Sequence, residues 1–292
     1  KLKPDIVLII GDRAELFTIA IPAVILNIPI LHLYGGDISE GSYDNLFRYS
    51  LSFLSSFHLV SNEKSRKNLL KIGIDPNNIF NFGLIALNKI NYFKKVNVSD
   101  YLKKLKLSSK KKNIIVIFHP ETIKKTNTKI QIKCILNSLK KINDNIIFIY
   151  PCSDPGYKII VNEIKKFLKI KKNSVLLKNI QSNLFYNLFK YSDLIMGNSS
   201  AGILESKFFQ TPSLNIGNRQ DGRLYENNTI HSTFNTKEIL KKINYALNNK
   251  KFISRTKNSK SIYFKKSSLV KTSELIKKII NKKIVPKPFK LG

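Results

Sequence analysis

The chain has 292 residues, 42% of them hydrophobic, so it can form about two domains, and no apolar run approaches the roughly 20 residues that cross a membrane. Its formal charge of +32 would suit a nucleic-acid partner, but six of the 51 basic residues are arginine and the lysine runs lack aromatic interleaving, so we expect a solvated basic surface with no nucleic-acid or membrane partner. Cys134 and Cys152 form no CxxC pair, which argues against a disulfide framework or a zinc site and is typical of a cytoplasmic protein.

The first part of the chain alternates strand-like and helical patterns. It opens with residues 5–10, a continuous apolar run rich in β-branched residues that predicts a buried strand of a parallel sheet. Because the chain enters this run close to Lys1, which is not methionine, we expect that the opening units of the first domain are missing. Further strands are predicted at 29–34 and 57–60, and helices at 13–26, 43–54, 62–73 and 85–92.

A second series of strands and helices follows a polar, lysine-rich stretch. Its strands are predicted at 113–118, 145–150, 174–177, 193–196 and 212–215, with helices at 126–142, 156–168, 182–191, 200–208, 236–248 and 268–281. This alternation predicts an α/β fold with two Rossmann-like domains facing a cleft, the B-type glycosyltransferase architecture, with the first domain incomplete. The predicted division is a first domain at 1–95, a linker at 96–112, and a nucleotide-binding domain with a terminal helix at 113–292.

The sharpest motif is GNSSAGILE at 197–205, directly after a predicted strand and at the start of a helix. Here the backbone N–H groups at Ser199, Ser200 and Ala201 would lie at the positive helix end, where a pyrophosphate binds, and Asn198, Ser199 and Ser200 are candidate substrate-binding residues. Gly202 would let the ligand approach closely, and Glu205 would accept hydrogen bonds from two ribose hydroxyls. The alternative is a plain helix N-cap, since Asn and Ser favour that position without any ligand.

A second motif, PSLNIGNRQDGR, follows at 212–223. Together the two motifs resemble the nucleotide-binding signature of the hydrolysing UDP-N-acetylglucosamine 2-epimerases, a family that feeds the synthesis of sialic and related nonulosonic acids. The resemblance implies that Arg219 and Arg223 face the nucleotide diphosphate, as substrate-binding residues. A loop of exposed surface arginines is the alternative.

The first half of the chain supports the same resemblance with GDR at 11–13 and HLYGGDISEGSYD at 32–44, followed by Arg48. Similar enzymes carry GDR, HIHGGE or HIEGGE, and an acidic residue four positions before an arginine. By this resemblance Asp12 and Asp44 are acid/base catalysts on the sugar side of the cleft, and Asp37 and Arg48 contact the substrate. Asp12 also stands at capping-box spacing, so a helix cap is an alternative for it.

His119 follows a predicted strand, at the edge where α/β proteins bind ligands. The resemblance gives it acid/base work or a phosphate contact, and its ordinary pKa of about 6.5 suits both. The sequence contains neither a metal-ligand pattern nor a GxGxxG fingerprint, so we expect no cofactor and no metal. The implied reaction is an elimination in which a base removes the C2 proton as UDP leaves C1, followed by hydration to N-acetylmannosamine.

Three positions depart from the family pattern: Tyr34 replaces His or Glu, and Tyr49 and Phe53 replace the His and Lys of an RHxITK pattern. These changes indicate either a related UDP- or GDP-linked acetamido sugar, of the bacillosamine type, or lower activity. A B-type glycosyltransferase and, from a different class, a basic nucleic-acid-binding protein are the alternatives. The resemblance also implies a homo-oligomer for the full-length protein.

Overall fold

The computed structural model describes residues 3–90, 94–123, 127–258 and 260–281. Backbone contacts divide the chain into two compact units, and each unit is built from separate stretches of sequence. The first unit contains Lys1–Lys89, Asp221–Leu224 and Ile262–Gly292, and the second contains Ile90–Gln220 and Tyr225–Ser261.

The first unit contains a parallel four-stranded sheet in the order β1-β2-β3-β4. Its strands are β1 (Val7–Ile10), β2 (Ile30–Leu33), β3 (Phe57–Val60) and β4 (Ile79–Asn81). Every residue of β2 and β3 is buried, as expected for central strands of a parallel sheet that is covered on both faces. The strands that the apolar runs predicted in this half are therefore present, but Leu8 and Ile10 of β1 are exposed where the sequence predicted a buried strand.

Helices cover this sheet and place the polar motifs at its edge. They are α1 (Phe17–Ile25), α2 (Asp44–Leu54), α3 (Glu63–Lys71), α4 (Ala86–Lys89) and α12 (Ser268–Asn281). The small side chains Ala20 and Ala23 let α1 pack closely on Ile9 and Ile30 of the sheet. The start of α3 is capped by Asn62, whose side chain accepts a hydrogen bond from a backbone N–H in the first turn.

The C-terminal helix α12 belongs to the first unit, whereas the sequence placed it in the second domain. Leu275 and Ile279 of this helix pack against Leu31, Leu33 and Leu59 of the first sheet. Helical periodicity identifies the face of a helix that is buried, but it does not identify the sheet that buries it. Residues 282–292, which the sequence also placed in the second domain, lie outside the described residues.

The second unit contains a parallel six-stranded sheet in the order β10-β9-β8-β5-β6-β7. Its strands are β5 (Asn113–Ile117), β6 (Asn145–Ile149), β7 (Ser174–Leu177), β8 (Leu194–Gly197), β9 (Ser213–Ile216) and β10 (Thr229–Ser232). If the strands are numbered within this unit and read from β7, the order is 3-2-1-4-5-6, which is the Rossmann arrangement. All pairs are parallel, and the order in which the chain adds strands changes from one side of the sheet to the other between β5 and β8. The prediction of an α/β fold with two parallel sheets is thus confirmed.

Two layers of helices cover this second sheet. They are α5 (Val98–Lys104), α6 (Thr128–Leu139), α7 (Tyr157–Ile170), α8 (Ser182–Lys190), α9 (Ala201–Leu204), α10 (Thr236–Asn248) and α11 (Lys250–Lys257). One layer is formed by α6, α7, α10 and α11, and the other contains α5 and α8. Val98 and Leu102 of α5 are buried, so the stretch predicted as a linker is an integral part of the second unit.

One face of the first unit exposes apolar side chains around strand β1, which lies at an edge of the described sheet. Leu8 and Ile10 of this strand are 45% and 58% exposed, and Ile25 and Leu26, at the end of α1, are 72% and 67% exposed. None of the helices in the described ranges is both long and apolar enough for a membrane span.

Candidate functional site

The strand order of the second unit reverses between β5 and β8, which are hydrogen-bonded neighbours. In open parallel sheets, ligands bind outside the carboxyl ends of the strands at such a reversal. His119 follows the end of β5 by two residues, and Asn198 follows β8 directly. The two strongest polar motifs of the second half therefore meet at the edge that the fold makes available for a ligand.

Gly197 allows these two loops to approach each other. A Cβ atom at this position would lie 1.9 Å from the carbonyl oxygen of Ile117, and the φ angle of 130° is one that other residues rarely adopt. The next residue, Asn198, donates its backbone N–H to the same carbonyl at 3.1 Å. The glycine of the GNSS motif thus serves strand packing, and it sets the position of the residues that follow.

Asn198 ties the two loops together with its side chain. Its amide oxygen accepts from the backbone N–H of His119 at 2.7 Å, and its amide nitrogen donates to the His119 carbonyl at 2.8 Å. The backbone carbonyl of Asn198 in turn accepts from the Gln220 side chain at 2.9 Å. The Asn198 side chain is fully buried and holds the His119 loop through these bonds, and its contact with the substrate stays a prediction.

His119 is held as a neutral ring. Its Nδ1 accepts a hydrogen bond from the backbone N–H of Cys152 at 3.1 Å, so the proton of the neutral imidazole lies on Nε2. Burial of the ring, together with the nearby positive charge of Arg219, lowers the pKa of His119 to about 3. An uncharged donor at Nε2 suits a phosphate contact better than proton abstraction.

The turn at Ser199 and Ser200 is followed by α9, which has only four residues where the sequence predicted a helix over 200–208. Ser200, at the N-cap, makes no side-chain capping bond, and the Ser199 hydroxyl accepts from the backbone of Ala201 at a long 3.4 Å. The alternative of a plain N-cap therefore explains little of this motif. Both serines are half-buried and remain candidates for a ligand contact.

The sequence predicted that Gly202 lets a ligand approach, and the structure shows this glycine packed against the sheet. A Cβ atom there would lie 3.1 Å from the Ser213 hydroxyl and 3.6 Å from Ile195 Cγ2, both in the sheet. The absence of a side chain therefore lets α9 lie close to β8 and β9.

Glu205 carries a buried carboxyl oxygen, Oε2, that has no hydrogen-bond partner among the described residues. Burial raises the pKa of this carboxyl to about 7. A buried polar atom without a partner is costly, and hydroxyl groups of a bound ligand would satisfy it. This environment agrees with the ribose contact that the sequence predicted.

Arg219 lies in a turn that two buried carboxylates organise. Its guanidinium Nη2 is 3.8 Å from Asp154 Oδ2, and both side chains are at least 90% buried. One residue earlier, the Asn218 backbone N–H donates to Glu121 Oε1 at 3.3 Å. The other oxygen of Glu121 accepts a hydrogen bond from the Gln131 side chain at 3.0 Å. Arg219 is thus not a surface arginine. Glu121 escaped the sequence analysis, although its place in the HPE triplet with His119 was a usable signal.

In the first unit, Arg48 holds Asp12. The Arg48 side chain is 2% exposed and forms an ion pair with the Asp12 carboxylate, which is 23% exposed. Arg48 Nη1 also donates to the Asp37 carbonyl and to Asn45 Oδ1, each at 2.9 Å. The buried Arg48 guanidinium therefore positions Asp12, and the contact of Arg48 with the substrate stays a prediction. Asp12 is not a helix cap, since Arg13 occupies the cap position of the short 3₁₀ turn that follows.

Asp44 is the first residue of α2, one helical turn before Arg48. It is half-buried, and its backbone N–H donates to the Ser42 hydroxyl at 3.3 Å. The two predicted acid/base residues of this half therefore flank one buried arginine, Asp12 through its carboxylate and Asp44 along the helix.

Asp37 and Arg223 form a buried ion pair with each other, and each side chain is 8% exposed. The second carboxylate oxygen of Asp37 accepts from Ser61 at 3.2 Å, from Asn62 at 3.3 Å and from Ser65. Asp37 and Arg223 thus contact each other, and their contacts with substrate and diphosphate stay predictions. Arg219 and Arg223, which the sequence grouped together, belong to different units.

Two of the three positions that depart from the family pattern, Tyr34 and Tyr49, make contacts within the first unit. Tyr34 adopts a left-handed φ of 68°, uncommon for a bulky residue, and packs beside the residues that contact α12. The Tyr49 hydroxyl donates to the Gly36 carbonyl at 3.2 Å, and Phe53 is 47% exposed. Within the described ranges, no group of three or more His, Cys, Asp or Glu residues could hold a metal ion.

The sheet order and the polar residues at its reversal define an α/β protein with a Rossmann-type second unit. The chain belongs to the UDP-N-acetylglucosamine 2-epimerase family, whose sequence pattern matches residues 1–280. The family resemblance that the motifs indicated is thereby confirmed.

Two curated relatives show how this chain compares in length. It is 37% identical over 238 residues to the GDP/UDP-N,N'-diacetylbacillosamine 2-epimerase (hydrolyzing) of Campylobacter jejuni, covering 80% of this chain and 62% of the relative. It is 33% identical over 282 residues to the polysialic acid biosynthesis protein P7 of Escherichia coli, covering 96% and 71%. The chain thus spans less than two thirds of the first relative and somewhat more of the second.

Solved structures share the fold at low sequence identity. The UDP-GlcNAc 2-epimerase from Neisseria meningitidis bound to UDP-GlcNAc superposes with a TM-score of 0.77 at 18% identity, covering 94% of this chain and 76% of that one. The Methanocaldococcus jannaschii UDP-GlcNAc 2-epimerase in complex with UDP-GlcNAc and UDP gives 0.74 at 20% identity, with the same coverage.

Proposed function

We propose that the protein is a hydrolysing 2-epimerase that converts a UDP- or GDP-linked acetamido sugar into the free, 2-epimerised sugar and the nucleoside diphosphate. The observation that carries this proposal is the buried Glu205 carboxyl with its unsatisfied oxygen, in the motif that follows the strand reversal. A buried acceptor at the ligand edge of a Rossmann sheet is what a ribose with two free hydroxyls requires. Family membership supports the same reaction class.

In this proposal the second unit binds the nucleotide. The backbone N–H groups at Ser199 and Ser200 and the guanidinium of Arg219 stabilise the diphosphate. His119 donates a hydrogen bond from Nε2 to a phosphate oxygen, since its other nitrogen already accepts from Cys152. These contacts strengthen as negative charge builds up on the departing nucleoside diphosphate, so they lower the barrier to elimination.

The first unit supplies the proton transfers. A carboxylate, Asp12 or Asp44, removes the C2 proton, the C–H electron pair forms a C1–C2 double bond, and the bond from C1 to the diphosphate oxygen breaks. Water then adds its hydroxyl to C1, and a proton returns to C2 from the opposite face. The buried Arg48 guanidinium pairs with the Asp12 carboxylate and orients it, which a base requires.

The relatives support an acetamido sugar as the substrate. The Campylobacter jejuni relative bears the name of a hydrolyzing diacetylbacillosamine epimerase, and a Legionella pneumophila protein with the UDP form of that name is 32% identical over 284 residues. We therefore propose UDP-N,N'-diacetylbacillosamine and UDP-N-acetylglucosamine as the first substrates to test. A cytoplasmic location, a homo-oligomeric state and a role in nonulosonic acid and surface polysaccharide synthesis are parts of the same proposal.

The test incubates the full chain with each nucleotide sugar and no acceptor, in D₂O and separately in H₂¹⁸O. The expected products are free nucleoside diphosphate and a free sugar with deuterium at C2 and ¹⁸O at C1. A glycosyltransferase would leave the donor intact without an acceptor. A phosphate-cleaving enzyme would place ¹⁸O on the phosphate, and either result would refute the proposal.

A matched pair of variants assigns the chemistry to the first unit. Asp44→Asn should lower turnover by about 100-fold or more while UDP affinity stays unchanged, because a general base acts on the reaction and not on the nucleotide. Asp100→Asn removes an exposed carboxylate of α5 and should change neither quantity.

A further inference from the structure

A short stretch of chain passes from the second unit into the first and back. We call it the crossing segment, and it consists of residues Asp221–Leu224. The chain leaves the second unit after Gln220 and rejoins it at Tyr225. The crossing segment therefore begins two residues after Arg219, and all of its own contacts described below lie within the first unit.

The backbone of the crossing segment is fixed at three points. Glu40 N–H donates to the Asp221 carbonyl at 3.0 Å, Lys64 Nζ donates to the Gly222 carbonyl at 2.7 Å, and the Tyr263 hydroxyl donates to the Leu224 carbonyl at 2.6 Å. Gly222 has a φ of 87°, and a Cβ atom there would lie 2.3 Å from the Ile38 side chain. The segment is thus packed tightly against the loop that begins at Asp37.

The side chain of Arg223 makes a buried ion pair between this segment and that loop. Its partner Asp37 is saturated, since Ser61, Asn62 and Ser65 donate to the other carboxylate oxygen. Burial alone would raise the pKa of Asp37, but the Arg223 charge and the Ser65 hydrogen bond outweigh it and lower the pKa. Asp37 is therefore an ionised anchor rather than a carboxylate that exchanges protons.

Asp37 continues the connection toward the proposed catalytic residues. Its backbone carbonyl accepts from Arg48 Nη1 at 2.9 Å, and Arg48 Nη2 is paired with Asp12. The same guanidinium contacts Asn45, next to Asp44. A continuous set of buried contacts thus runs from Arg223 through Asp37 and Arg48 to Asp12.

We propose that Arg223 and Asp37 are positioning residues of the epimerase: their ion pair fixes the loop from Asp37 to Asp44 and so sets the geometry of Asp12 and Asp44, and neither residue contacts the nucleotide. This inference rests on the proposed function. It differs from the role that the sequence motif gives to Arg223, which is a contact with the diphosphate. The two roles predict different kinetic results.

The experiment measures turnover of the nucleotide sugar and calorimetric UDP affinity for Arg223→Met, Asp37→Asn and the double variant, in the full chain. Each single variant should lower turnover by about 10- to 100-fold, because small displacements of an acid/base group cost that much. UDP affinity should stay within about twofold of the unmodified protein, because neither substitution removes a contact with the nucleotide. The double variant should be no worse than the worse single one, because both changes break the same pair.

Arg66→Met is the matched control, since Arg66 forms an exposed ion pair with Glu63 in the same unit. It should leave turnover and affinity unchanged. Amide exchange should rise around 37–45 in the Arg223 and Asp37 variants and not in the control. If Arg223→Met fails to fold, Arg223→Lys, which keeps the charge and loses the fork, should show a smaller loss of the same kind.

Three outcomes would overturn the inference: a rise of about tenfold or more in the UDP dissociation constant of Arg223→Met, additive losses in the double variant, or unchanged turnover. Absence of turnover in the unmodified protein with every nucleotide sugar would instead overturn the proposed function, and with it this role in the reaction. The two failures are therefore distinguishable in one series of measurements.

Discussion

At the scale of single residues, the candidate site contains side chains with two kinds of environment. Asn198, Arg48, Asp37 and Arg223 are buried and contact polar neighbours within the protein. Glu205, in contrast, keeps a buried oxygen without a partner among the described residues. Saturated groups hold a structure in place, whereas an unsatisfied buried group is where a ligand gains most by supplying a partner.

Glu205 should make nucleotide binding depend on pH. Its pKa is raised to about 7 by burial, and hydrogen bonds from ribose hydroxyls favour the ionised form, so binding should release a proton. UDP affinity should increase by up to about tenfold between pH 6 and pH 8, because the ionised fraction rises through that range. Calorimetry in buffers of different ionisation enthalpy measures both effects.

Glu205→Gln is the variant that isolates this group, because an amide of the same shape does not titrate in that range. Its UDP affinity should be lower and should not vary across the same pH range. An unmodified protein with a flat profile, or a Gln variant that keeps the full pH dependence, would contradict the assignment.

The sequence predicted the place in the fold of those motif residues that follow strands or begin helices. Asp12, Asp44, His119 and Arg219 stand at the ends of predicted elements, and strand alternation was enough to place them there. Their partners were not predictable, because the Cys152 backbone that fixes the His119 ring lies on another loop, 33 residues away. For the same reason the sequence did not show the protein partners of Asn198, Asp37 and Arg223. A motif shows which polar groups are present but not which of them the fold saturates.

At the scale of elements, helix α11 is held to the polypeptide that follows the GNSS motif. Lys207 is fully buried, and its Nζ donates to the Thr256 carbonyl at 2.6 Å and to the Arg255 carbonyl at 3.4 Å. These carbonyls belong to the last turn of α11, where a positive charge also meets the negative end of the helix. One buried lysine therefore closes the end of a helix that the sequence did not predict.

Lys207→Met should destabilise the protein by about 1–3 kcal/mol, because it leaves buried carbonyl groups without a donor. Urea unfolding should show a lower midpoint, and amide exchange should become faster within α11. Lys257→Met, which changes an exposed lysine at the same helix end, is the control and should have little effect. Equal stabilities of the two variants would contradict this account.

Elements whose apolar residues repeat with a clear helical or strand period were predicted nearly to the residue. Elements with few apolar residues were missed. The helices at 236–248 and 268–281 agree with α10 and α12 because their apolar faces repeat regularly. Strand β10 was missed because only Ile230 is a large apolar residue among its four. Helix α5 was hidden in a lysine-rich stretch, where its two buried residues, Val98 and Leu102, are too few to show a period.

At the scale of the whole molecule, three buried histidines make stability depend on acidity. Burial lowers the pKa of His32 to about 4, of His58 to about 3 and of His119 to about 3. Each pKa is lower in the folded chain than the ordinary value near 6.5, so the unfolded chain binds protons that the folded chain does not. The stability they contribute is complete above pH 6.5 and is lost as the pH falls toward 4 and 3.

The melting temperature should therefore fall steadily between pH 6.5 and pH 4, with each histidine contributing up to about 1.4 kcal/mol per pH unit. Scanning calorimetry across this range measures the slope. His58→Leu should reduce the slope, whereas His231→Gln, at an exposed position, should leave it unchanged. A melting temperature that is flat between pH 6.5 and pH 4 would contradict the prediction.

The apolar edge of the first sheet should govern the solution behaviour of this chain. Leu8 and Ile10 lie on β1 and are largely exposed, and edge strands of this kind pair readily with other chains. Ile10→Lys should reduce self-association, as measured by light scattering against concentration. Lys3→Glu, which alters charge nearby without changing the apolar strand, should not reproduce that reduction, and equal scattering of Ile10→Lys and the unmodified chain would contradict the prediction.

The packing of Leu275 and Ile279 against Leu31 and Leu59 has a consequence for biosynthesis. Ribosomes deliver a chain from its amino end, so the first sheet emerges early while the helix that covers part of it emerges after the entire second unit. During synthesis, the apolar side chains that α12 covers in the folded protein stay uncovered by it until roughly 200 further residues have been translated. Translation proceeds at about 5–20 residues per second. Nascent-chain capture by a holding chaperone during that interval would be a direct outcome of this architecture.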